Sequence, residues 1–121
     1  MQYVKYQQGD VLLLKVSEED WKAHGLKYAT APGVDRQVLA EGEATGHYHA
    51  VYMEDMLDNA GVTLCKNSDY DRQNRGIIVT GAAVELKHEE HHTLTLEPGF
   101  YLQRIVKEYD HISGITRRVA D

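Results

Sequence analysis

The feature that most constrains the fold is a succession of short apolar segments punctuated by glycine, with the signals for one helix among them. Residues 11–16, Val-Leu-Leu-Leu-Lys-Val, follow Gly9-Asp10 and read as a strand with both faces at least partly covered. The segments 36–41, 47–53 and 62–66 have strand length, with Gly42, Gly46 and Gly61 between them. The pattern continues through 77–80, 82–88, 93–96, 101–108 and 115–119, with Pro98-Gly99 as a tight turn. Residues 67–76 are polar and read as an exposed loop.

The helix signals lie just after the first strand. Ser17 can cap a helix, Asp20 stands three residues later, and Gly25 is placed to end it. The element would be about two turns long, with Trp21 as its anchor. Ala31-Pro32-Gly33 then separates it from the β-rich remainder. Many short strands and one helix predict a mainly β single domain over 1–121. The expected architecture is an antiparallel β-barrel or β-sandwich of jelly-roll or β-clip type.

Composition narrows the functional classes. A chain of 121 residues is of ordinary size for one domain, and 42% hydrophobic with 26% charged residues is a globular rather than a disordered composition. A formal charge of −6 opposes a broad nucleic-acid or anionic-membrane surface and leaves room only for a small basic patch such as Arg117-Arg118. No nucleic-acid partner and no membrane are therefore expected. The first residues, Met-Gln-Tyr-Val-Lys, carry no apolar segment of signal-peptide length, so a cytoplasmic location is expected, or a virion if the protein is phage-derived. Cys65 is the only cysteine, which excludes an intrachain disulfide and a thiolate-rich zinc site; between Leu64 and Lys66, near Val62, it reads as a buried, inert thiol.

Two histidine-rich segments stand out, and they hold five of the seven histidines. In His47-Tyr48-His49 the two imidazoles leave an extended strand on the same side, together with Val51 and Met53. An apolar continuation implies that this side looks inward. In the second segment, His88-Glu89-Glu90-His91-His92, His88 continues the phase of Val84 and Leu86. A turn near residues 89–91 leaves open which of Glu90, His91 and His92 joins it. Two inward histidines from one strand and His or Glu donors from another meet the needs of a divalent ion. Without thiolate the choice among Zn, Fe, Mn, Ni and Cu stays open. The candidate ligands are His47, His49, His88, His91 and Glu90. Three protein ligands with an open position would permit catalysis, and four in a closed shell would make the site structural. Hydrogen-bonded structural histidines are the competing reading. His24 and His111 read as solvent residues, with His111 also a candidate supporting group.

Gly42-x4-His47-x-His49-x4-Glu54-x6-Gly61 resembles the first motif of the cupins, and 94–99 resembles the strand and Pro-Gly turn of a cupin's later half. That resemblance implies His47, His49 and Glu54 as metal ligands, although Glu54 falls on the strand face opposite His49 and no histidine follows Pro98-Gly99. The chain is more closely similar to a group of small bacterial and phage-associated proteins. These carry Gly-Glu-x-Thr-Gly-His-x-His, then His-x-Glu-His, then a Pro/Ala-Gly-x-Tyr strand, matched here at 42–49, 88–91 and 98–101. This resemblance links the two histidine segments, favours His91 over His92, and implies no reaction. The expected function is therefore a metal-binding β-protein. The alternatives are a cupin-like metal enzyme, with Glu54, Glu90 or Tyr101 as acid or base, and a phage or prophage assembly protein. Eight tyrosines and a β-rich architecture are compatible with the surface of a homo-oligomer.

Overall fold

Gly9 and Asp10 close the first hairpin of the computed structural model, which describes residues 4–29, 36–41, 47–67 and 74–106. Strand β1, Val4–Gln8, pairs antiparallel with β2, Val11–Val16, and Gln8 lies opposite Val11, so the loop has two residues. Gly9 takes φ +56°, as the first position of a tight hairpin turn requires and as glycine adopts without a Cβ penalty. Val11, Leu12 and Leu13 are all buried, as expected for an apolar run covered on both faces.

Helix α1, Glu18–His24, has the predicted ends. Ser17 Oγ accepts from the Asp20 backbone N–H at 3.1 Å, and Gly25 terminates the helix in the left-handed region at φ 63°. Glu18, Glu19 and Asp20 occupy the first turn, where the helix dipole favours negative charge. The Trp21 ring anchors the helix on the sheet, 5.6 Å from the Phe100 ring and over Gly76, where a Cβ would collide with it.

The remaining strands are β3 (Tyr28–Ala29), β4 (Arg36–Glu41), β5 (Tyr48–Tyr52), β6 (Gly61–Lys66), β7 (Arg75–Thr80), β8 (Val84–Leu86), β9 (Leu94–Leu96) and β10 (Gly99–Ile105). Six strands form an antiparallel sheet in the order β1-β2-β10-β7-β6-β3, while β4-β5 and β8-β9 form two antiparallel pairs. A single bridge, Ala50 to Lys87, joins the two pairs through bonds of 2.9 and 2.8 Å between their backbones. The core draws on all three sheets. Val11, Leu13, Ile77, Val79 and Tyr101 come from the large sheet, Leu39 and Val51 from the first pair, and Val84, Leu86 and Leu96 from the second. The described chain is thus mainly β, with antiparallel sheets and one α-helix.

Several boundaries depart from the expectations. Strands β1 and β3 carry little apolar signal, yet both add to edges of the large sheet through antiparallel backbone pairing. Strand β5 stops at Tyr52 and Met53–Asp55 turns as a 3-10 helix, so Met53 is exposed rather than a continuation of the inward face. Arg75 and Gly76, read as the end of the polar loop over 67–76, belong to β7, and residues 68–73 of that loop lie outside the described residues. The strand expected over 115–119, the end of that over 101–108, Ala31-Pro32-Gly33, Gly42, Gly46, His111 and Arg117-Arg118 lie outside the described residues.

Candidate metal centre

The Ala50–Lys87 bridge sets the register of the two histidine segments. Continued beyond the bridge, the antiparallel pairing places His49 opposite His88, Tyr48 opposite Glu89 and His47 opposite Glu90. The contacts follow that register. The His49 and His88 ring centroids are 4.3 Å apart, the Tyr48 N–H donates to Glu89 Oε2 at 3.0 Å, and Glu90 Oε1 lies 3.7 Å from His47 Nδ1. His91 folds back over the same group, 4.6 Å from His88 and 6.3 Å from His49, centroid to centroid. His47 completes it at 5.6 Å from His88. Four imidazoles from segments some forty residues apart therefore converge.

Their settings differ. His49 is 1% exposed, whereas His47 and His88 are partly covered and form the rim with exposed Glu89 and Glu90. His47 Nδ1 is enclosed and without a hydrogen bond, its Glu90 contact being too long for one. Burial, followed by the neighbouring His49 and His91, pushes the His88 pKa below its ordinary value, which favours the neutral ring a metal needs. The Glu89 carboxyl is held below the usual range chiefly by the Tyr48 backbone N–H, so it presents an anion. Donor atoms of His47, His88 and Glu89 all lie within 4.8 Å of one another, a span that one divalent ion can bridge. These donors fit such an ion. One local bond would have to change: the Glu90 N–H donates to His88 Nδ1 at 3.1 Å, so ligation through either ring nitrogen displaces that contact.

His49 is oriented in advance by Gln8, which is fully buried at the end of β1. Gln8 Nε2 donates to the carbonyls of Leu86 and His92, at 2.8 Å each, leaving Oε1 to face His49 Nδ1 at 2.9 Å. The other ring nitrogen, Nε2, lies 3.2 Å from Asp10 Oδ1. Gly9 lies directly under His91, since a Cβ there would stand 2.6 Å from His91 Nε2. The β1–β2 turn is therefore the floor of the cluster.

The family comparison covers this whole arrangement. A model described as a domain of unknown function (DUF8820) matches residues 7–106, which takes in the Gln8 turn and both histidine segments. The chain belongs to the DUF8820 family. No curated protein and no solved structure matches it. Within this DUF8820 domain, the structure gathers the predicted His47, His49, His88 and His91 and sets Glu90 against His47. It adds Glu89, Gln8 and Asp10, which sequence reasoning missed. Glu89 and Glu90 are equivalent by composition, and only the bridge register separates them. A Gln-Gly-Asp turn gives no sign of which distant strand it meets.

Other predicted groups lie elsewhere. Glu54 sits in the exposed turn after β5, where with Asp55 it surrounds Lys87 rather than the histidines. Lys87 meets Asp55 Oδ2 at 2.9 Å, and that bond raises its pKa. Tyr101 is buried in the core with its hydroxyl donating to the Glu97 carbonyl, and burial raises its pKa above the ordinary phenol value. Cys65 is buried and its thiol pKa is raised by desolvation, as expected of an inert cysteine. His24 is exposed on α1, with Nδ1 2.9 Å from the Asp20 carbonyl oxygen. Among the described residues, no helix is long and apolar enough to cross a membrane.

Proposed function

We propose that this protein binds a divalent transition-metal ion at the histidine cluster, with His47, His88 and Glu89 as its rim ligands and His49 and His91 behind them. The observation that carries the reading is the His47–His88–Glu89 group, whose donors lie within 4.8 Å of one another. The enclosed His47 Nδ1 without a hydrogen bond supports it, because a buried polar atom is ordinarily partnered. Imidazole with carboxylate suits Zn, Fe, Mn, Ni or Cu. The fold that holds the site is a β-sandwich in this reading. The bridged β4-β5 and β8-β9 pairs form one layer, the six-stranded sheet forms the other, and both supply the core.

Elemental analysis of the untagged protein tests the proposal. About one equivalent of metal per chain is expected, and a His47→Ala, His88→Ala variant should lose most of it. Equal metal content in the two proteins would reject the reading.

A second reading is a cupin-like metal enzyme. It is favoured by the position of the rim, where His47 is partly covered and Glu89 is exposed, so that water or a small substrate could reach the ion. Water-proton relaxation of the manganese-loaded protein separates the two. Rapidly exchanging bound water supports a catalytic shell, and its absence supports a closed structural one.

A further inference from the structure

The turn that floors the cluster holds a carboxylate against its most buried histidine. The Gln8 amide fixes which ring nitrogen of that histidine faces an acceptor. Both hydrogens of Gln8 Nε2 are committed to the Leu86 and His92 carbonyls, so the group facing His49 Nδ1 at 2.9 Å is the amide oxygen, an acceptor. Nδ1 must then carry a proton, and in a neutral ring Nε2 presents a lone pair. Facing that lone pair at 3.2 Å is Asp10 Oδ1. Two acceptors at this distance repel unless a positive species joins them.

We infer that Asp10 is a metal ligand at the inner end of the cluster, bound through Oδ1 beside His49 Nε2 and behind the His47–His88–Glu89 group. This rests on the metal-binding reading above and adds a carboxylate from the β1–β2 turn to it. With bonds of about 2.1 Å to each atom, an ion spanning the 3.2 Å separation subtends an angle of about 100° at the metal, between octahedral and tetrahedral values. The arrangement around His49 is that of a metal-binding histidine, whose second nitrogen donates to a fixed acceptor that sets its tautomer and direction. Here Gln8 Oε1 is that acceptor. Asp10 is itself held from behind, because the Val106 N–H donates to the Asp10 carbonyl at 2.8 Å. The competing occupant of the gap is a proton on His49 Nε2, which would make a buried ion pair with no role in metal binding.

Cobalt(II) titration of the full chain, followed through the d–d absorption bands, distinguishes these. The wild-type protein should bind Co(II), and Asp10→Asn should weaken binding at least tenfold and change the band shape, as a lost carboxylate ligand does. If Asp10→Asn binds Co(II) with the wild-type Kd and spectrum, the ion-pair alternative holds and Asp10 is not a ligand, while the metal-binding reading stands. If the wild-type protein itself binds no Co(II), the metal-binding reading fails and this inference with it. Should Asp10→Asn not fold, Asp10→Glu keeps the charge and lengthens the arm by a methylene. Shifted bands in that variant support ligation, and an unchanged spectrum and Kd overturn it.

Discussion

Gln8 shows how much of the site depends on single side chains that perform no chemistry. One buried amide meets the Leu86 and His92 carbonyls and His49 Nδ1, joining β1 to both histidine segments. Gln8→Leu keeps the approximate volume but leaves these groups unpaired in the interior. Each buried unsatisfied group costs roughly 1–3 kcal/mol, so a loss on the order of 2–4 kcal/mol is expected in urea denaturation. A loss below about 0.5 kcal/mol would show that water replaces the amide and that Gln8 does not hold the site. Gln8 was not legible as a site residue. Its bonds reach across 41, 78 and 84 residues, and a polar residue beside a turn signal ordinarily reads as exposed. The histidines were legible because two residues apart on a strand means one face, and His49 is buried as that phase requires.

At the level of elements, the β1–β2 hairpin and helix α1 contain a matched pair of left-handed glycines. Gly9 has φ +56° and its absent Cβ makes room for His91, whereas Gly25 has φ +63° with nothing within 4 Å of a Cβ. Either alanine substitution forces a left-handed conformation that costs about 1–2 kcal/mol. Gly9→Ala alone also pushes against the His91 ring. Both variants should therefore melt at lower denaturant, but only Gly9→Ala should weaken metal binding, read by zinc competition against a chromophoric chelator. Equal metal affinity in the two would place His91 outside the site. Helix α1 itself was legible almost to the residue, because a cap, an acidic first turn and a terminal glycine are local instructions. The end of β5 was not, since the apolar phase runs through Met53 while the backbone turns at that residue.

For the molecule as a whole, the cluster lies where three separate parts of the chain meet: the β1–β2 turn, the start of β5 and the segment between β8 and β9. An ion bound there fastens these parts to one another and favours the folded state by mass action. At a free metal concentration about a hundredfold above Kd, the gain is about 2.7 kcal/mol, or a rise in Tm of roughly 10 °C for a domain of this size. Differential scanning calorimetry with zinc and then with excess chelator measures it. A Tm that moves by less than about 1 °C would mean that no ion binds preferentially to the folded chain.

The β-rich class, the helix with its two ends, the buried cysteine and the two histidine segments are all legible in the amino-acid sequence. Each of these is written in local spacing: period two for strands, cap residues for the helix, flanking apolar residues for burial. Which donors meet depends instead on long-range pairing. Glu89 rather than Glu90 joins His47 and His88 because the Ala50–Lys87 bridge fixes the register of β5 against the segment after β8, and the turn that ends β5 carries Glu54 elsewhere. Asp10 faces His49 because the six-stranded sheet brings the first hairpin beneath the cluster. Register and sheet order are settled by the core that the whole chain shares, and no local stretch of sequence contains them.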